Sequence, residues 1–163
     1  MLTNGNNTIS YNPYQTTQPA NLALADEDML AKSYLGNPFP QGADATQTQY
    51  ALNKFVNGHG GNYAWASGSS NFQNNLITDI NQGFDLAGGL YIYDNGSATL
   101  TGYSGHGDFD HWIPITYYSG STTYYADPIY MAPDYTSWAV QGPYASTPTN
   151  NLSTILQRDG YLW

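Results

Sequence analysis

The chain changes its hydrophobic period once, near residue 84. Before that point apolar residues recur at helical spacing. Met29, Leu30, Tyr34 and Leu35 follow the acidic run Asp26-Glu27-Asp28, which suits the electropositive start of a helix, and Gly36-Asn37-Pro38 supplies a stop. Asp44 predicts the cap of a second helix, with apolar contacts from Ala45, Tyr50, Leu52, Phe55 and Val56 and an end at Gly58. After a short strand over 63–66, Ser69 or Ser70 caps a third helix. Phe72, Leu76, Ile77 and Ile80 share one face of it, and Gly83 closes the run.

Beyond residue 84 the pattern is that of strands. LAGGLYIY over 86–93 is a short apolar run bounded by turn residues, the signature of a buried strand. Residues 94–107, rich in Gly, Ser and Thr, read as a long exposed loop. HWIPITYY and TTYYAD flank Ser119-Gly120-Ser121, a short Gly-bearing connection that predicts a β-hairpin. Pro114 has no N–H for a ladder, so it must lie at an edge, at a bulge, or with its nitrogen turned away from the ladder. A further strand is expected over 136–140, a short helix over 150–157, and a closing apolar segment at Tyr161-Leu162-Trp163. Helices first and antiparallel strands afterwards predict an α+β domain.

A length of 163 residues is one domain's worth. Residues 1–20 carry Asn4-Gly5, Pro13 and Pro19 without any period, and are expected to form an extended arm ahead of a domain spanning 21–163. Only 9% of the residues are charged, so the polar surface must come from amides and hydroxyls, including those of 16 tyrosines. Lys32, Lys54 and Arg158 stand against 12 acidic residues, and the resulting net charge of −9 repels a phosphate backbone or an anionic leaflet. Nucleic acid is thereby excluded as a partner. Membrane insertion is excluded separately, because the apolar run 86–93 is far shorter than the roughly 20 residues a spanning helix needs. No basic segment with an apolar core follows Met1, so a signal peptide is not expected within this chain. The sparse charge suits a secreted or cell-surface protein.

Zero cysteines exclude disulfides, thiolate metal sites and a cysteine nucleophile. Two of the three histidines fall in His106-Gly107-Asp108-Phe109-Asp110-His111. In an extended segment His106, Asp108 and Asp110 point one way, which makes them a weak candidate metal set, although no further ligand cluster supports it and a solvated acidic loop is the simpler reading. His59 reads as a helix-end histidine. His111 opens an apolar strand, and the next strand of the hairpin ends at Asp127-Pro128. The start of the first strand lies beside the end of the second, so the two side chains meet if they share a face. An imidazole held by a carboxylate has a fixed tautomer, as an acyl-transfer base requires. No cofactor is called for.

HWIPITYYSGSTTYYADP resembles the histidine strand, turn and Asp-Pro strand of the bacteriocin-processing-peptidase-like cysteine peptidases, a papain-like group of secreted bacterial proteins. ANLALADEDMLAKSYLGN followed by ALNKF is similar to the helical region after that family's nucleophile helix, and NLITDINQGFDLAGGLYI to the helix and core strand before its histidine. WAV and NNLSTILQRDGYLW resemble its last strand and closing helix, so that residues 20–163 are covered. The resemblance implies a papain-like fold with His111 as general base and Asp127 as its orienting acid. It also exposes a departure. The family's cysteine, in a Cys-Gly-Pro context at a helix start, precedes everything matched here, and Gln15 and Gln18 cannot be carried over as its oxyanion glutamine. Ser10 and Thr16 are poor substitutes for the nucleophile, since neither begins a helix pattern.

The expectation is therefore a domain silent on its own: a pseudo-enzyme or binding module, or a peptidase fragment whose nucleophile comes from elsewhere. Its partner would be a peptide or cell-surface ligand. A missing nucleophile helix would also bare Leu90, Ile92, Ile113 and Ile115, which the arm could cover through Ile9, Tyr11 and Tyr14 or exchange with a second copy. A rival class is a cell-surface structural subunit that self-associates through the arm. A third reading, carbohydrate binding, rests on the abundance of aromatics and amides.

Overall fold

The computed structural model describes residues 45–56, 63–68, 71–94, 98–131, 137–138 and 141–163. The arm over 1–20, the helix expected from Asp26, the caps at Asp44, Ser69 and Ser70, the stop at Gly58 and the histidine at 59 lie outside the described residues.

Helix α1 covers Ala45–Val56, and its Leu52 is fully buried while Tyr50 points outward. Strand β1, Trp65–Ala66, leads to helix α2, Phe72–Gln82. Phe72 and Leu76 bury the predicted face of α2 and Ile80 packs beside them. Gly83 ends the helix in the left-handed conformation at φ 85°, its N–H bonded to the Ile80 carbonyl and that of Phe84 to the Asp79 carbonyl. A side chain there would be strained, which is why the sequence stops at glycine. Strand β2, Leu86–Ile92, is the apolar run, and β3, Phe109–Ser119, and β4, Thr122–Ala126, form the predicted hairpin. Ser119 pairs with Thr122 across Gly120-Ser121, and Gly120 takes φ 58° while Ser121 stays negative, the pattern of a type II′ turn.

After a short 3-10 turn at Pro128–Met131 come β5, Tyr144–Pro148, helix α3, Thr149–Ile155, and β6, Tyr161–Leu162. The six strands make one antiparallel sheet in the order β1-β6-β2-β3-β4-β5. The class is α+β, with the helices interleaved among the strands and not gathered ahead of them. Pro114 is paired with Ala87 inside the central strand β3, so it is not at an edge. Pairing with β4 begins one residue later, at Ile115, and the register shifts between Ile115 and Tyr117. The missing donor thus coincides with a gap and bulge in the neighbouring ladder.

Three expectations need correction. Leu90, Ile92, Ile113 and Ile115 are not bared: all are fully buried in one cluster with Phe72 and Leu76 of α2 and Leu152 and Ile155 of α3. The helices that follow and precede these strands in sequence already occupy that face. The segment 94–107 is not wholly exposed, since Leu100 and Tyr103 join the same core and are closed by a Tyr103 N–H bond to the Leu100 carbonyl. Ser137 and Trp138 form a turn where a strand was expected, and the strand is instead β5.

Candidate functional site

Two local rules bring the histidine to the carboxylate. In β3 the register sets His111 opposite the buried Leu90, so its ring projects toward the core face instead of the solvent face. Ile115 pairs with Tyr125 of β4, and two residues on from Tyr125 the chain has reached Asp127 on that same face. Pro128 then stops the strand, because it has no N–H and restricts the residue before it. The Asp127 backbone N–H donates to the Pro143 carbonyl at 3.0 Å, and the Tyr130 N–H closes the turn onto the Asp127 carbonyl at 3.2 Å.

The carboxylate of Asp127 is 1% exposed and His111 13%. His111 Nε2 lies 3.0 Å from Asp127 Oδ1, and the same oxygen accepts the Ile129 N–H at 3.1 Å. The Tyr103 hydroxyl donates to Oδ2 at 2.6 Å, the short length of a charge-assisted bond. Burial, then the negative charge of Asp127, pushes the Tyr103 phenol far above its ordinary range, so it remains a donor. Both carboxylate oxygens are fixed and the group cannot rotate away from the imidazole. A carboxylate partner assigns the proton to Nε2 and leaves the Nδ1 lone pair as the base. Among the described residues Nδ1 has no hydrogen-bond partner.

An aromatic wall backs the pair. The Tyr103 ring lies 5.8 Å from the His111 ring and 5.4 Å from that of Phe109, near-parallel to both, and Trp138 meets Tyr103 edge-on at 6.1 Å. These rings exclude water from the hydrogen bonds and so strengthen them. The arrangement can accept a proton from a group brought to Nδ1 and stabilise the imidazolium that results.

The remaining candidates do not converge. The His106 ring stacks on Trp138 with centroids 4.0 Å apart. Asp108 Oδ1 accepts the Asp94 N–H at 2.8 Å, and Asp110 lies 3.8 Å from Arg158. Among the described residues no three His, Cys, Asp or Glu side chains gather as a metal site. Sequence reasoning missed Tyr103 and Trp138, whose partners are distant along the chain. No protein-family model, curated protein or solved structure matches this chain.

Proposed function

We propose that the chain is a papain-like domain of the bacteriocin-processing-peptidase type that keeps the base half of a catalytic site and is silent by itself. The observation that carries the reading is the buried His111–Asp127 pair at 3.0 Å, its carboxylate held by Tyr103 and Ile129. Among the described residues its Nδ1 takes no hydrogen bond, which leaves that nitrogen for a group brought to it. The α+β sheet with the histidine on a central antiparallel strand is compatible with the papain-like assignment. An activated nucleophile is the missing element, since the chain has no cysteine. The domain then serves as a peptide-binding relative of a peptidase or completes its site with a segment from elsewhere. Its sparse charge supports a secreted or cell-surface setting.

Two measurements test this. Nitrogen-15 spectra of the histidine rings are expected to show His111 as the Nε2–H tautomer, and the opposite tautomer removes the base from the proposal. Incubation with fluorescent casein is expected to give no cleavage. Cleavage that disappears in His111→Ala would show that a serine or threonine nucleophile is present and overturn the silent assignment.

A further inference from the structure

The sheet face beyond the bulge of β3 carries a second set of aromatics that the His111 site does not use. In β4, Thr123 and Tyr125 are buried, so Thr122 and Tyr124 point outward. In β5, Ala145 and Thr147 are buried, so Tyr144 and Ser146 point outward. Tyr117 stands opposite Tyr124, Tyr124 opposite Ser146, and Tyr144 is two residues along from Ser146 on the same face. The outcome is a diagonal row of three tyrosines over three strands, 55%, 39% and 54% exposed for Tyr117, Tyr124 and Tyr144. The Tyr117 and Tyr124 rings are 5.5 Å apart and tilted by 48°.

The chemistry of this row selects its occupant. Residues 117–119, 122–126 and 144–148 contain no charged side chain, so a phosphate or an acidic peptide finds no counter-ion on these strands, and the carboxylate felt at Tyr144, that of Asp85, is buried. An extended peptide adding to the β5 edge is opposed at Ser146, whose N–H is already bonded to Gln141 Oε1 at 3.0 Å and whose carbonyl accepts Gln141 Nε2 at 3.1 Å. What remains is a ligand that offers apolar C–H faces to rings and neutral hydroxyls to the phenol, hydroxyl and amide groups beside them. Exposed aromatic patches of this kind mark interaction sites.

We propose that the exposed row of Tyr117, Tyr124 and Tyr144 binds a neutral polysaccharide chain. The strands that carry the three tyrosines have no charged side chain of their own, which suits a neutral ligand, and a chain with net charge −9 would avoid acidic polymers in any case. The Tyr144 hydroxyl, its pKa raised by partial burial and then by Asp85, remains a donor at neutral pH. The binding is independent of the His111 site, and either can fail without the other.

Native affinity electrophoresis through gels containing hydroxyethylcellulose, soluble xylan or glycol chitin tests it with the full chain. At least one polymer is expected to retard the protein, with the retardation persisting at high salt. Tyr117→Ala/Tyr124→Ala is expected to weaken that binding about tenfold or more, the loss of two stacking contacts, while His111→Ala leaves it unchanged. A thermal melt of the double variant close to that of the parent keeps the comparison on binding and not on folding. Migration unaffected by all three polymers overturns the proposal, as does retardation equal in parent and double variant. Sedimentation showing a parent dimer that the double variant abolishes would assign the face to a second copy and overturn it as well.

Discussion

Asp127 and Asp79 are both withdrawn from water, 1% and 8% exposed, yet the fold answers their charges in opposite ways. Asp127 follows a strand, where the chain can turn back on the side chain, and it collects three donors from three separate places: Tyr103, His111 and Ile129. Asp79 is fixed within α2, near the electronegative end of the helix, and among the described residues no hydrogen bond reaches its carboxylate. Burial raises its pKa to about 6. A buried carboxylate is thus an organising centre when the backbone can supply donors to it, and a liability when a helix dictates where it sits.

The comparison breaks most visibly at Asp127. Asp127→Ala leaves the Tyr103 hydroxyl, the Ile129 N–H and His111 without their acceptor, and is expected to lower stability by about 3–5 kcal/mol in urea unfolding. A loss below about 1 kcal/mol would mean that the three donors find other partners and the site is not tightly built.

Asp79→Asn is expected to act with the opposite sign and a pH signature. The folded chain keeps the Asp79 proton up to about pH 6, whereas the unfolded chain releases it near the ordinary carboxylate value of 3.8. Between these limits the folded state binds more protons, so stability falls as pH rises through the window. The amide variant should therefore be more stable than the parent at pH 7, by at most about 3 kcal/mol, and the gain should vanish toward pH 4. Urea midpoints measured across that range check it. A gain independent of pH would assign the effect to packing.

The smallest effect is expected at the end of the same helix. Gly83→Ala places a side chain at φ 85° and should cost about 1 kcal/mol. Because Gly83 and Phe84 close the last turn around Asp79, loosening that turn admits water to the carboxylate. The pH dependence of urea stability should flatten together with the loss. A loss without flattening would show that the burial of Asp79 does not depend on the helix end.

What could be read from the sequence divides along similar physical lines. Helix α2 announced itself because Phe72, Leu76 and Ile80 recur at its period and Gly83 punctuates it, and the hairpin because β-rich runs flank Gly120. His111 and Asp127 were legible together since the hairpin itself determines which residues are neighbours. Strand β5 was not, because its inward residues Ala145 and Thr147 are small or polar and leave no alternation of large apolar side chains. Thr147 is tolerated inside because Asn151 donates to its hydroxyl at 2.8 Å. Trp138 falls within the strand expected over 136–140, but its ring packs against Tyr103, Phe109 and His106 from a turn. Tyr103 lay in a segment whose composition reads as loop, and its role depends on a carboxylate far away in sequence that no local pattern can reveal.

The placement of β6 between β1 and β2 also governs the order of events in folding. Trp65 and Ala66 pair with Leu162 and Tyr161, and the Ala64 and Trp163 backbones exchange hydrogen bonds beyond them. Joining segments roughly a hundred residues apart carries a closure entropy of about 4 kcal/mol, whereas the β3–β4 hairpin closes over two residues. The hairpin and the helices nearest it in sequence can therefore assemble early, and the β1–β6 clasp becomes favourable only once β2 offers a finished ladder to dock on. By the same asymmetry β1, a two-residue strand at the rim, is the first element to let go, so its amides should exchange with solvent sooner than those of β3.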